Sequence, residues 1–530
     1  MPRDDVGFQI EEVARARPVL RVIAGEIDVL ATDAEAALRD SGLPVFQRGT
    51  SIVVPVSHDV PAAHGRMTVA AGLKELNTPG VIDHLNQAAC FQRWNIRSKK
   101  MVPCDPPSLV ASIIQSRSGK WTLPTVAGVI TTPTLRPDGS ILDAPGYDAA
   151  TRLYHVPDPQ LSMPVVKPRP SKTDAEAALK VLSDLLVEFV FADKRVDRAV
   201  ALSGLMSPGL RGMLPVVPLH GIRASTAGSG KTFLVDLASA ISTARSCPVL
   251  SAGEKDEETE KRLVGVLLAA YPIVSIDNVN GELGGDLLCQ AIERPLIRVR
   301  ALGDSDIREI ECRTTFFATG NGLRVRGDMT RRTIICTLDP GVERPELRDF
   351  KQDPLQRVLD NRGVYVAAVL TIIRAYAAAG SPGKLKAVAS FSEWSDTVRS
   401  ALVWLGEADP VQTMEAARED DPELGELRQV IGAWRGQFED KPCAVRTVIE
   451  QAFEQERDDA GDLKPVCATL RDALLLIAGE RGGVNARRLG KWLLRHEGRI
   501  VRIVNAAGKT IETRFKRQGT VSGVAIWKVV

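Results

Sequence analysis

The stretch Ser225-Thr226-Ala227-Gly228-Ser229-Gly230-Lys231-Thr232 decides the fold class. It stands between an apolar run, Leu214–Leu219, and a helical run, Phe233–Ile241. Strand, glycine loop and helix in that order form a phosphate cradle. The glycines let backbone N–H groups close on an anion, and the helix N-terminus adds its dipole. Ser225, Ala227, Gly228, Ser229, Gly230, Lys231 and Thr232 are therefore the expected nucleotide-binding residues. Lys231 is expected to reach the β- and γ-phosphates of ATP, and the Thr232 hydroxyl to ligate Mg2+. One position departs from the usual P-loop pattern: Ser225 stands where the first glycine belongs, a place that a residue with negative φ can fill.

Working downstream, Tyr271-Pro272-Ile273-Val274-Ser275-Ile276-Asp277-Asn278 reads as an apolar strand ending in an acid. Asp277 is the second expected Mg2+ ligand. The next position, where an acid would orient an attacking water, holds Asn278, and Glu282 is the nearest replacement. A third strand, Thr314–Thr319, ends in Gly320-Asn321. A polar side chain at that tip can hydrogen-bond the γ-phosphate or the water. Arg331 and Arg332 close the run Arg326-Gly327-Asp328-Met329-Thr330-Arg331-Arg332, directly before a strand at Thr333–Leu338. With Pro248–Leu250 these strands alternate with helical stretches, the pattern of a parallel α/β sheet.

The set Lys231, Asp277, Asn321 and Arg331/Arg332 resembles the AAA+ ATPase core of superfamily 3 helicases. Further stretches carry the likeness: Ile276-Asp277-Asn278-Val279, Leu302-Gly303-Asp304-Ser305, Ala318-Thr319-Gly320-Asn321 and Gly327–Arg332. They look like the primase–helicase ATPases of phages and integrated mobile elements, relatives of the poxvirus type. Upstream, Pro133–Gly139 and Pro145-Gly146-Tyr147-Asp148 resemble the segment that precedes that core, so the likeness spans residues 120–380. It implies a hexameric ring that moves on DNA and hydrolyses ATP between subunits. Lys231, Asp277, Asn278, Glu282 and Asn321 would line the catalytic site, with Asn321 as sensor 1. Arg331 or Arg332 would reach in from a neighbour as an arginine finger. No primase segment with paired acids and a His is visible, which leaves a primase or other replication protein as a partner.

The chain has 530 residues and a mass of 57.3 kDa, enough for about three or four domains. At 44% hydrophobic and 25% charged residues, it is not a wholly disordered chain. No apolar run reaches the roughly 20 residues of a membrane span. The longest, Val264–Ile276, contains Tyr271 and Pro272. The N-terminus lacks a secretory signal, so a bacterial cytoplasm is expected. The eight Cys form no C-x-x-C pair, which argues against a zinc ribbon or a disulfide framework. Prolines from Pro157 to Pro170 read as a linker. Thr173 or Asp174 is expected to cap a helix through Ala175–Phe191, and Asn361–Ala379 to close the core. The expected organisation is an N-terminal α/β domain over 1–160, for oligomerisation, a collar or docking. An AAA+ core follows over 171–390, then an acidic helical linker over 391–464 and a basic winged helix over 465–530.

Charge is strongly polarised. Residues 407–462 hold 16 acids and 6 bases, whereas 481–530 hold 12 bases and 2 acids. Leu296–Leu302 and Ile307–Ile310, around Gly303-Asp304, read as a β-hairpin whose Arg298 and Arg300 share one face. The hairpin arginines are expected to contact DNA, or else to pair with acids or serve the nucleotide site across an interface. In the tail, Asn485 can cap a helix through Ala486–Glu497. Leu489, Trp492 and Leu493 point inward, and Arg487, Lys491 and Arg495 form a basic stripe beside Arg488. Strands at Arg499–Val504, Thr510–Arg517 and Gly523–Val529 would complete a DNA-binding winged helix, or one used for protein contacts. The expected function is an ATP-dependent DNA helicase or translocase. The alternatives are an AAA+ initiator or loader, and a nucleotide-switched DNA-binding protein.

Overall fold

The computed structural model describes residues 17–61, 67–253, 256–300, 307–347, 352–457, 463–504, 508–521 and 524–530. The chain forms two compact units, Met1–Leu323 with Arg332–Thr413, and Arg324–Arg331 with Met414–Val530. This division differs from the expected one. The segments 1–160 and 171–390 share the first unit apart from 324–331, while the acidic segment from Met414 onward joins the basic tail.

The first unit opens with β1 (Val19–Val22), α1 (Ile27–Asp40), β2 (Phe46–Arg48), β3 (Ser51–Pro61), β4 (Met67–Glu75), α2 (Thr78–Ala88), β5 (Cys90–Asn95), β6 (Lys100–Pro103) and α3 (Ser108–Ser116). Strand β5 pairs parallel with β1 and antiparallel with β6. Phe91, Leu20 and Val22 on one side of that sheet pack with Leu38, Leu85 and Ile114 of the three helices. Strands β2, β3 and β4 form a separate antiparallel sheet.

The core continues with α4 (Lys172–Ser183), α5 (Val196–Met206), β7 (Leu219–Ala224), α6 (Lys231–Thr243), β8 (Val249–Ser251), α7 (Asp256–Ala269), β9 (Ile273–Asp277), α8 (Asp286–Glu293), β10 (Leu296–Arg300), β11 (Ile307–Glu311), β12 (Thr315–Asn321), β13 (Thr333–Leu338), α9 (Pro354–Asp360) and α10 (Arg362–Ala378). A five-stranded sheet runs β8-β9-β12-β7-β13, and every pairing is parallel. Its four longer strands are buried almost throughout, as expected for a parallel sheet. This order puts β12 between the strand that enters the glycine loop and the strand that ends in Asp277.

The N-terminal layer is tied to this core. The β2–β3 turn at Gly49 has φ 58 and presses on β11, so that a Cβ there would lie 2.9 Å from the Glu309 carbonyl oxygen. Buried Arg48 donates to the carbonyls of Leu267 and Leu268 at 2.9 and 2.7 Å, satisfying acceptors at the end of α7.

Three local expectations fail for identifiable reasons. The strand before the glycine loop is Leu219–Ala224, not Leu214–Leu219. Pro215 and Pro218 have no N–H to give a central ladder, so pairing starts after them. Helix α4 is capped by Ser171 rather than Thr173 or Asp174. Asp174 instead sits at the third helical position and completes a capping box. The helix ends at Ser183, and the chain beyond it turns to place Phe191 beside Leu338. The proline-rich stretch is laid down on the core: Asp158 forms a buried ion pair with Arg362 at 2.6 Å. Ser162 crosses so close to Gly363 that a Cβ there would be 1.8 Å from its carbonyl oxygen.

The second unit contains α11 (Pro422–Phe438), α12 (Val445–Ala452), α13 (Ala468–Ala478), α14 (Ala486–Arg495), β14 (Val501–Val504), β15 (Thr510–Thr513), β16 (Phe515–Val521) and β17 (Val524–Val529). They share one core, with Leu427, Trp434, Leu474, Leu489, Phe515 and Trp527 buried together. The acidic segment expected to serve as a linker thus supplies central apolar residues. The single strand expected over Thr510–Arg517 is two, because β15 pairs with β14 and β16 with β17. Arg514, at the break, exchanges backbone hydrogen bonds with Val530.

All eight cysteines are free thiols. No helix among the described residues is long and apolar enough to cross a membrane.

Candidate active site

Residues 225–230 connect β7 to α6, so the N-terminus of a buried helix opens onto the loop. Ser225 keeps a negative φ, which removes the need for glycine there. Gly228 (φ 71) and Gly230 (φ 92) occupy left-handed conformations that suit glycine. Gly228 is doubly constrained: a Cβ on it would lie 2.7 Å from Cβ of Glu346. Gly230 lies under Phe189, whose ring stacks with Phe233 at 6.2 Å between centroids.

Lys231 Nζ donates to the Thr226 carbonyl at 3.1 Å, to Ser229 Oγ at 3.1 Å and to Asn321 Oδ1 at 2.7 Å. It therefore sits in a nest of oxygen acceptors. Burial lowers its pKa, and the Asp277 charge opposes that shift. Thr232 is exposed at the start of α6.

Asp277 ends β9, and Thr319 of β12 donates its hydroxyl to Asp277 Oδ1. Thr319 and Asn321 are two apart in one strand and share a face. One holds the acid of β9, and the other holds the lysine of the loop. After Asp277 the chain doubles back, and Val279 N donates to the Thr319 carbonyl at 2.8 Å. Gly320 makes this approach possible, since a Cβ there would be 2.2 Å from the Val279 oxygen. Asn278, at the reversal, has φ 54 and is exposed. Asn tolerates that conformation better than most residues with side chains. The residue type at 278 thus has a backbone reason. Glu282 lies four residues further on and is exposed.

Sequence alone treats Arg331 and Arg332 as equivalent, but they differ. Arg332 is buried, donates through Nε to Glu293 Oε2 at 2.7 Å, and forms a second bond to the same oxygen through Nη2. Ser390 donates its hydroxyl to the other carboxylate oxygen of Glu293, Oε1, at 2.5 Å. Arg331, in the second unit, is 48% exposed and pairs with Asp328 at 3.2 Å. Only Arg331 presents an accessible guanidinium.

In the β10–β11 hairpin, Ile297 and Val299 are buried while Arg298 and Arg300 lie on the opposite, exposed face. Arg298 pairs with Glu309 across the strands at 3.4 Å. The expected tip, Gly303-Asp304-Ser305, lies outside the described residues.

In the second unit, Asn485 caps α14 by accepting from the N–H groups of Arg487 and Arg488, both at 3.0 Å. Leu489 and Leu493 are buried and Trp492 half-buried. Arg487, Arg488, Lys491 and Arg495 are exposed. The last of these is partly spoken for. Glu423 of α11 binds Arg495 at 3.3 Å, His496 at 3.1 Å and Arg499 at 3.6 Å. The acidic and basic segments thus neutralise each other at this end of α14, leaving Arg487 and Lys491 toward the other.

Sequence reasoning missed Thr319, Glu293 and Glu423. A Thr in an apolar strand gives no signal beyond strand propensity. Each of the two acids is recognisable only through a partner at least 39 positions away.

No protein-family model matches the chain, and no curated protein matches it. Among solved structures, it is similar to the A form apo structure of the NrS-1 C terminal region, CTR(305-718). That similarity has 13% identity and a TM-score of 0.31 over 74% of this chain and 78% of the other. It is also similar to SCCmec type IV Cch, an active helicase, with 11% identity and a TM-score of 0.33. That likeness covers 92% of this chain and 97% of the other.

Proposed function

We propose that this chain is an ATP-driven DNA helicase or translocase that works as a ring, hexameric by resemblance, in replication of a phage or integrated mobile element. The observation that carries this reading is the end of β12, where Thr319 holds Asp277 and Asn321 holds Lys231. A phosphate-binding lysine and a candidate metal-binding acid are brought to one strand tip by two polar side chains.

The residues fit ATP with Mg2+. Lys231 Nζ already faces oxygen acceptors, which the phosphate oxygens of ATP would replace. Thr232 and Asp277 would hold Mg2+, which when bound neutralises charge on the β- and γ-phosphates. These two protein ligands leave the remaining positions to phosphate and water, the usual arrangement for this ion. Asn321, once released by Lys231, can hydrogen-bond the γ-phosphate or the attacking water. Glu282 is the proposed residue that orients that water, with Asn278 beside the phosphate contributing a neutral amide. Arg331 is the proposed finger offered to a neighbouring copy. Arg332 supports it by anchoring the start of β13.

The link to DNA follows from chain continuity. Strand β11 leads through Cys312–Thr314 directly into β12, so the arginine-bearing hairpin and the γ-phosphate-sensing tip are ends of one stretch. Hydrolysis would shift which of two hairpin positions is favoured. Arg487, Arg488 and Lys491 of α14, with Arg495, would neutralise DNA phosphates.

A second reading is a nucleotide-switched DNA-binding protein, favoured by Asn278 where hydrolysing enzymes of this type use an acid. An initiator or loader would share the ATPase but not processive unwinding. Strand displacement on a forked duplex tests the proposal. The wild type should release the labelled strand only with ATP, and Lys231→Ala and Asn321→Ala should not. Hydrolysis without displacement would favour the loader.

A further inference from the structure

The sheet β1–β5–β6 has one covered face and one open face. Phe91 and Leu20 face the three helices. The register sets Arg21 beside Gln92 and Trp94 beside Met101, on the opposite face. On that side Trp94 is 57% exposed, Val19 54% and Ile23 47%, and Ile96 at the hairpin tip is 83% exposed. Large apolar groups held this far into water on a rigid sheet mark a contact surface.

The tip is built. Asn95 Oδ1 accepts from the N–H groups of Arg97 and Ser98 at 2.9 and 3.2 Å, and Lys99 adopts φ 48. This turn carries Arg97, Lys99 and Lys100 around Ile96. Residues 90–104 contain four bases, counting Arg93, and no acid. Among the described residues none of these four, nor Arg21, pairs with a carboxylate.

We propose that this face is a binding platform for single-stranded DNA. An indole on an open sheet can stack a base, and single-sign charge around it suits a polyanion rather than a mixed protein surface. Ile96 and Met101 extend the apolar floor for a neighbouring base, so the platform would take about two or three bases. Arg21 on that face, with Arg97 and Lys99 of the turn, holds the phosphates. The platform is separate from the motor reading, because it requires neither ATP nor the basic tail.

The chain supplies its own probe. Of the seven tryptophans, Trp121, Trp394, Trp434 and Trp527 are buried, Trp404 and Trp492 are half-buried, and Trp94 is exposed. Oligothymidylate of about 15 nucleotides, titrated into the full chain without nucleotide, should quench tryptophan emission. Trp94→Leu should remove most of that quenching and weaken binding about 5- to 150-fold, the range expected for one lost stacking contact. Its melting temperature should be unchanged, because Trp94 lies on the surface. Arg97→Glu with Lys99→Glu should flatten the salt dependence of binding. The tail variant Arg487→Glu with Lys491→Glu should keep the Trp94 quench. The proposal is overturned if Trp94→Leu binds with wild-type affinity, or if the tail variant abolishes the quench. A fall in oligomeric mass in Trp94→Leu with DNA affinity intact would also overturn it, assigning the face to self-association.

Discussion

Replacing Thr319 with Val isolates the contact on which the proposed nucleotide site depends. Thr319 is 1% exposed in an apolar strand, and Val keeps its branched shape. The change removes one hydroxyl donor from Asp277. A hydrogen bond to a charged group contributes about 1.5–3 kcal/mol. At about 1.4 kcal/mol per decade, its full loss would lower kcat/KM for ATP by roughly 10- to 150-fold. Asp277 is only half-buried, so water replaces part of the lost bond and the lower half of that range is expected. The fold should tolerate the change, since Val suits a buried strand, and the melting temperature should move by no more than about 4 °C. Steady-state ATP hydrolysis by the wild type, Thr319→Val, Asp277→Ala and the double variant gives the answer. The double variant should be no worse than Asp277→Ala alone, because the hydroxyl acts through that carboxylate. Activity of Thr319→Val within twofold of wild type, with Asp277→Ala inactive, would refute the reasoning.

Four further outcomes are expected. Arg331→Ala should keep the wild-type unfolding midpoint and nucleotide affinity but lose about 10^3-fold in turnover, as for a missing finger. Arg332→Ala should instead destabilise the fold by about 3–5 kcal/mol, read in urea unfolding, because it removes one partner of a largely buried ion pair. Buried His220, stacked on Phe317, has its pKa held down to about 3 by desolvation, so the unfolded chain binds the proton that the folded chain refuses. Its contribution therefore costs stability progressively as pH falls from the ordinary histidine value of about 6.5 towards 3. Chemical unfolding across that window should show His220→Gln to be less acid-sensitive than wild type. Gly228→Ala should weaken nucleotide binding measured by calorimetry, because both its φ and the Glu346 contact exclude a methyl group.

Much of the candidate site's geometry is legible in the sequence because its pattern is local. The glycines, Lys231 and Thr232 are neighbours whose spacing reflects a backbone requirement. Asp277 and Asn321 stand out because each is a polar residue at the end of an apolar run. The hairpin at Arg298 and the Asn485 cap are likewise encoded within a few residues. What escapes is set by tertiary partners. The strand before the loop was masked by the apolar but proline-interrupted run from Leu214, while the true strand carries His220 and Arg223. His220 is accommodated only because Ser203 and Phe317 meet it. Arg331 and Arg332 are adjacent in sequence, and only the distant Glu293 separates a structural arginine from an accessible one. Trp94 carries no signal in the sequence, and only the sheet shows which face the helices leave uncovered.

ATP hydrolysis with and without single-stranded DNA, with Lys231→Ala as the blank, tests the central claim most directly. The account predicts turnover that rises several-fold with DNA and vanishes in the variant. Binding of ATP with turnover no faster than that of Lys231→Ala would contradict the motor and leave a nucleotide-gated DNA-binding assembly.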